Sequence, residues 1–157
     1  MKHLHGKKDN HVYRNLFLMG ILSFISMYAL MYMMVDKFIN VYPNFNQFYM
    51  AGMMTAPMLF IELLLMGSMY PNKIVNFFIM IFSLLALIVF IIAIRYQTAI
   101  SDREFLKSMI PHHAGAILMC DKASLKDSEI KKLCESILSS QQSEIDWMKM
   151  KLNRLAK

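Results

Sequence analysis

Imidazole and thioether side chains recur at helical spacing in the carboxyl-terminal third of the chain. Met109 and His113 are four residues apart, and His112 and Met119 are seven apart. Residues four apart are neighbours on an α-helix, and seven residues complete about two turns, so each pair shares a face. Soft sulfur together with imidazole nitrogen suits Cu(I), whereas magnesium and calcium prefer oxygen ligands. The spacing therefore predicts a copper site.

The same residues also have an ordinary structural interpretation. Adjacent histidines beside Pro111 are typical of a solvated helix start, and methionine is an adaptable core residue. A carboxylate-bridged di-iron site would need Glu-x-x-His repeats, which the sequence lacks. No nucleophile–base pair is visible either, so we do not expect an enzyme. At this point the metal site and the metal-free interpretation both stay open.

Two helices must position these donors. The first is predicted to be capped by Ser101 or Asp102 and to run to about residue 124. The second is predicted to be capped by Asp127 or Ser128 and to run to about residue 155. An antiparallel pair around a turn near residue 127 makes facing residue numbers sum to about 254. This register pairs the following residues: Cys120 with Cys134, His113 with Gln141, Met109 with Ile145, and Leu106 with Met148.

Three apolar runs precede this helix pair. They cover residues 15–35, 48–70 and 74–94, and each reaches the roughly 20 residues that cross a bilayer. The sequence thus predicts an all-α membrane protein with three domains: a basic polar leader (residues 1–14), a three-helix membrane region (15–97) and a water-facing helical hairpin (98–157). The net charge of +6 comes from residues that flank spans or lie on solvated helix faces, so we do not expect nucleic-acid binding.

One acid lies within an apolar run. Glu62 shares a helix face with Met58, Met66 and Met69, at about 100° per residue. A soft-metal or proton path would use this stripe, but we favour the structural interpretation, a helix–helix contact with one hydrogen-bonded acid. The first alternative makes the chain a subunit of a metal transporter.

The motif Met-Ile-Pro-His-His at residues 109–113, followed by Gly-Ala-Ile and Met119 and later by Gln-Gln-Ser-Glu-Ile and Met148, closely resembles a known family. That family is catalogued as domain of unknown function number 305, and the resemblance covers residues 101–153. It implies a ferritin-like helical bundle, typically periplasmic, whose members include copper- or silver-binding proteins. The positions that match the family pattern are Met109, His112, His113, Met119 and Met148.

Two departures from the family bear on assembly. Many members carry two hairpins, whereas this chain has one, and two helices bury too little surface to be stable alone. We therefore expect a homodimer whose two hairpins complete a four-helix bundle, or docking of the hairpin onto the membrane helices.

Cys120 and Cys134 stand where the family usually has small residues. They could form a disulfide in an oxidising compartment, stay reduced as soft donors, or simply be buried apolar residues.

The expected function is Cu(I) binding, with Ag(I) as a second candidate metal, for copper storage, buffering or hand-over to a copper-transport partner. The expected location is the bacterial inner membrane, with the amino terminus cytoplasmic and the hairpin periplasmic. The rivals are an assembly module without metal and the transporter subunit described above.

Overall fold

The computed structural model describes residues 2–155, with side chains described from His11 onward. Within this part of the chain every regular element is helical. The elements are α1 (Lys2–Leu30), two short 3-10 helices (Met31–Met34 and Phe38–Asn40), α2 (Phe45–Met66), α3 (Lys73–Arg95), α4 (Asp102–Lys122) and α5 (Ser128–Arg154). The segment predicted as a polar leader, residues 1–14, continues into the first span without a break from Lys2 onward. Its side chains up to residue 10 lie outside the described part.

Three helices are long and apolar enough to cross a membrane. They cover His11–Met34, Phe45–Met66 and Lys73–Arg95, close to the three predicted runs. These three helices indicate that the chain is a membrane protein.

The chain folds into two compact units. The first comprises the chain up to Leu30 together with Phe48–Thr98, and so holds most of the membrane-spanning residues. The second comprises Met31–Gln47 and the residues from Ala99 onward. The family motif lies in the second unit, and the Glu62 stripe lies in the first.

Close helix packing in the first unit depends on glycine. A Cβ atom on Gly52 of α2 would collide with the ring of Phe90 on α3, whereas one on Gly20 of α1 would lie 3.4 Å from Leu59, an ordinary contact distance. Small residues let membrane helices approach closely, and this supplies the van der Waals contact that holds them together in lipid. Gly52 therefore fixes how near α2 and α3 can come.

Hydrogen bonds from polar side chains stabilise the turn between α2 and α3. Asn72 caps α3, because its side-chain oxygen accepts hydrogen bonds from the backbone amides of Ile74 and Val75. Asn76 donates to the carbonyl of Tyr70 at 3.1 Å and accepts from the Tyr13 hydroxyl at 2.7 Å. The Tyr70 hydroxyl donates to Glu62 at 3.0 Å. Burial and this bond to Glu62 raise the pKa of Tyr70 to about 12.

The second unit has its own hydrophobic core, built where α4 packs on α5. Its buried members are Leu106, Ile110, Ala114, Ile145, Met148 and Leu152. Contacts along the two helices run in opposite order, because His113 meets Glu144 and Cys120 meets Cys134. Ser101 caps α4 and Asp127 caps α5, as the sequence predicts. The segment 31–47 packs on α4 through its 3-10 helices.

Candidate metal-binding face

Pro111 lies inside α4, one residue before the two histidines, and the helix continues through it. Proline has no N–H, so the carbonyl of Lys107 loses its helical partner. The amide of Asn44, a buried residue of the segment 31–47, points at this carbonyl at 3.5 Å. The same amide donates at 2.9 Å to the carbonyl of Tyr42, so its contact with Lys107 is the longer one. The helix α4 continues through Pro111 and keeps its histidines on a regular helix.

His113 is the buried histidine, and both of its ring nitrogens face acceptors. Nδ1 lies 2.9 Å from the backbone oxygen of Met109, and Nε2 lies 2.7 Å from Oε2 of Glu144. A hydrogen on Nδ1 donated to the backbone leaves Nε2 as the nitrogen available for a metal, which is how metal-binding histidines are commonly oriented. In this structure Nε2 is in contact with Glu144. A metal at Nε2 must therefore displace that contact.

Three of the predicted ligands share one side of α4. Met109, His112 and Met119 fall within an arc of about 80° at 100° per residue. Met109 is half-buried against the core, and His112 and Met119 are exposed, Met119 to 55%. We call Met109, His112 and Met119 the donor face of α4. It carries two thioethers and one imidazole, and of these the Met119 and His112 side chains are exposed.

The length of the donor face limits what one chain can bind. Met109 and Met119 are ten residues apart, which is about 15 Å along a helix. One ion cannot contact both sulfur atoms. Within the described residues, no three His, Cys, Asp or Glu side chains form a group that could hold a metal. A complete site would therefore need thioether ligands, a second chain, or both.

Met148, the fifth predicted ligand, does not lie on the donor face. Its side chain is 5% exposed and belongs to the core between α4 and α5. The predicted register already placed it opposite Leu106, which is a member of the same core. The structure thus brings Met109, His112 and Met119 to one face, holds His113 beside them, and leaves Met148 in the interior.

Glu144 is the polar partner that the sequence analysis missed. The register paired His113 with Gln141, but the histidine meets a residue one helical turn further along α5. Gln141 is half-buried and close to the same face. Glu144 belongs to the Gln-Gln-Ser-Glu-Ile motif, so the sequence did mark this segment. Residue spacing alone could not decide whether His113 faces Gln141 or Glu144, which are one helical turn apart.

A disulfide joins α4 to α5 beyond the histidines. Cys120 and Cys134 are bonded, and their Cα atoms are 5.2 Å apart, within the range that a disulfide spans. The pairing follows the predicted register. It also means that neither cysteine is a free thiol donor in this state.

Residues 92–152 match the family described as Domain of unknown function (DUF305). An uncharacterized protein of Acanthamoeba polyphaga mimivirus is 34% identical over 134 residues, which cover 83% of this chain and 86% of that relative. The chain belongs to the DUF305 family. The DUF305 match holds all five predicted ligands, and the likeness to the viral protein is longer than that match, so it extends into the membrane-spanning helices. No solved structure is significantly similar to the chain.

Proposed function

We propose that this DUF305 protein is a membrane-anchored Cu(I)-binding protein that also accepts Ag(I). The observation that carries the proposal is the donor face of α4, where His112 and Met119 are exposed and half-buried Met109 lies at the edge of the core, with His113 beside them. Thioether and imidazole are ligands that select soft monovalent copper over hard cations. Copper held in this way would serve storage, buffering or hand-over to a transport partner.

The α4–α5 pair is proposed to act as half of a ferritin-like four-helix bundle. Exposed apolar side chains support this, because Phe105, Met119, Ile130 and Leu133 are each about half exposed. An isologous dimer places residue i against residue j and j against i. If two α4 helices crossed antiparallel near Ala116, His112 of one copy would meet Met119 of the other to within about one residue. Such a dimer would join donors that one chain holds too far apart.

The Cys120–Cys134 disulfide supports a location of the donor face on the non-cytoplasmic side of the membrane. Disulfides persist in oxidising compartments and are rare where glutathione keeps thiols reduced. We therefore place α4 and α5 on the non-cytoplasmic side of the membrane. With three spans, the amino terminus would then lie on the cytoplasmic side, and this is the orientation that we propose. That the membrane is a bacterial inner membrane stays a prediction.

An assembly module without metal is the second candidate. The observation that favours it is His113, whose two nitrogens are both engaged by protein atoms. In this alternative the histidines form a polar contact that fixes how α4 and α5, or two copies of them, pair. Copper would then have no effect on the oligomer.

Cu(I) titration of the full-length chain in detergent, in competition with a chromophoric Cu(I) chelator, separates the two candidates. We expect the wild type to compete with the chelator and His112→Ala/Met119→Leu to bind at least tenfold more weakly. Met150→Leu is the matched control, because Met150 is 56% exposed and lies on the far side of α5. We expect no change there.

The oligomeric state is measured in the same samples by light scattering. A dimer that forms without copper, together with no competition by the wild type, would favour the assembly module. Equal Cu(I) affinity in the wild type and the double variant would overturn the donor face as the site.

A further inference from the structure

The short 3-10 helix Phe38–Asn40 has an inverted distribution of polar and apolar side chains. Phe38 is 91% exposed and Ile39 is 71% exposed, whereas Asn40 is 2% exposed. The Asn40 amide donates a hydrogen bond to the carboxylate of Asp36 at 2.6 Å. A surface that faces water usually exposes the polar residue and buries the large apolar ones. We call Phe38 and Ile39 the apolar tip, and its composition suits apolar surroundings.

The apolar tip belongs to a segment that is bonded to α4. The amide of Asn46 donates to the hydroxyl of Ser108 at 3.2 Å, and the backbone N–H of Phe45 donates to the carboxylate of Glu104 at 3.3 Å. All of these residues belong to the second unit. The segment therefore has one side fastened to α4, and the tip lies on a side that the described residues leave largely uncovered.

Chain connectivity brings the apolar tip close to the bilayer. The first span ends at Met34 and the second begins at Phe45, so residues 35–44 are all that separates them. An extended chain advances about 3.5 Å per residue, which keeps Phe38 within about 14 Å of the end of the first span. Lys37 precedes the tip and is exposed. A lysine beside exposed apolar side chains is typical of a segment at the membrane interface, where the ammonium group stays among the head groups.

We propose that the apolar tip, Phe38 and Ile39, inserts into the lipid bilayer at the membrane surface and anchors the second unit there. Lipid is favoured over a second copy of the chain, because both spans that flank the tip already lie in the bilayer. Since the segment is bonded to α4, insertion of the tip keeps the donor face near the membrane surface. The proposal is independent of copper, because the tip contains no metal ligand.

Tryptophan fluorescence of the full-length chain in lipid nanodiscs tests the tip, with nanodiscs of ordinary lipid compared with nanodiscs of lipid brominated on its acyl chains. Bromine quenches indole emission only at close contact. The chain has one tryptophan, Trp147, which is 57% exposed on α5. Its neighbours Ile145 and Met148 face the core with α4, so Trp147 lies on the opposite side of α5. The wild type is therefore the matched control.

Phe38→Trp in a Trp147→Phe background places the fluorophore at the tip. We expect brominated lipid to lower the emission of this variant at least twofold and that of the wild type much less. Ile39→Trp in the same background is a second, independent variant and should be quenched likewise. Blue-shifted emission that brominated lipid does not quench would mean that protein covers the tip. Unshifted emission without quenching would mean that water surrounds it, and either result would overturn the proposal.

Discussion

Removal of Glu144 should strengthen copper binding, because its carboxylate occupies the nitrogen that the metal needs. The bond from His113 Nε2 to Glu144 is 2.7 Å long. A hydrogen bond to a charged group contributes about 1.5–3 kcal/mol. The Glu144 side chain is 55% exposed, so solvent screening lowers the value to about 1 kcal/mol. That energy corresponds to about a fivefold gain in Cu(I) affinity for Glu144→Ala.

The assay is the chelator competition on the full-length chain, with Glu135→Ala as the control that removes another exposed carboxylate from α5. Lower pH should weaken Cu(I) binding in the wild type, because protons compete with the metal for the imidazole nitrogens. Unchanged affinity in Glu144→Ala would mean that His113 is not a ligand. Weaker affinity would mean that Glu144 supports the site and does not compete with it.

Three further predictions concern stability. Ile145→Ala removes a fully buried side chain and should cost α4 and α5 about 2–5 kcal/mol, measured by amide hydrogen exchange in the full-length chain. Gly52→Ala should destabilise the membrane unit by about 1–3 kcal/mol because the new methyl group meets Phe90, whereas Gly20→Ala should leave the thermal unfolding temperature in detergent nearly unchanged. Reduction of the interhelical disulfide, which links residues 14 positions apart, should lower the stability of the helix pair by about 3 kcal/mol. The expected result is faster amide hydrogen exchange in α4 and α5 after reductant is added. Alkylation of the two thiols should also occur only in the reduced sample.

Much of the helical framework follows from the sequence because its signals are local. Three apolar runs of spanning length become three helices, and Ser101 and Asp127 begin α4 and α5 as capping residues. The Cys120–Cys134 pairing also follows from the predicted register. Both residues lie near the predicted turn, and an error in the assumed register is smallest there.

Further from the turn, the register depends on how the two helices cross. The partner of His113 is Glu144, one helical turn beyond the predicted Gln141, because side-chain packing sets the crossing of two helices and spacing does not. Met148 fits the family motif as a donor, yet the fold uses it as a core residue. Motif membership cannot distinguish these roles, since methionine serves both.

The sequence by itself determined which residues carry soft donors, since residue type fixes ligand chemistry, and which segments are helical or span a membrane, since hydrophobic runs and caps act over a few residues. Only the tertiary structure decided which donors are available. It buried Met148 in the core between α4 and α5, paired His113 with Glu144, and brought Asn44 near the carbonyl that Pro111 leaves without a helical donor. These outcomes depend on contacts between residues 31 to 63 positions apart, and no local pattern encodes such contacts.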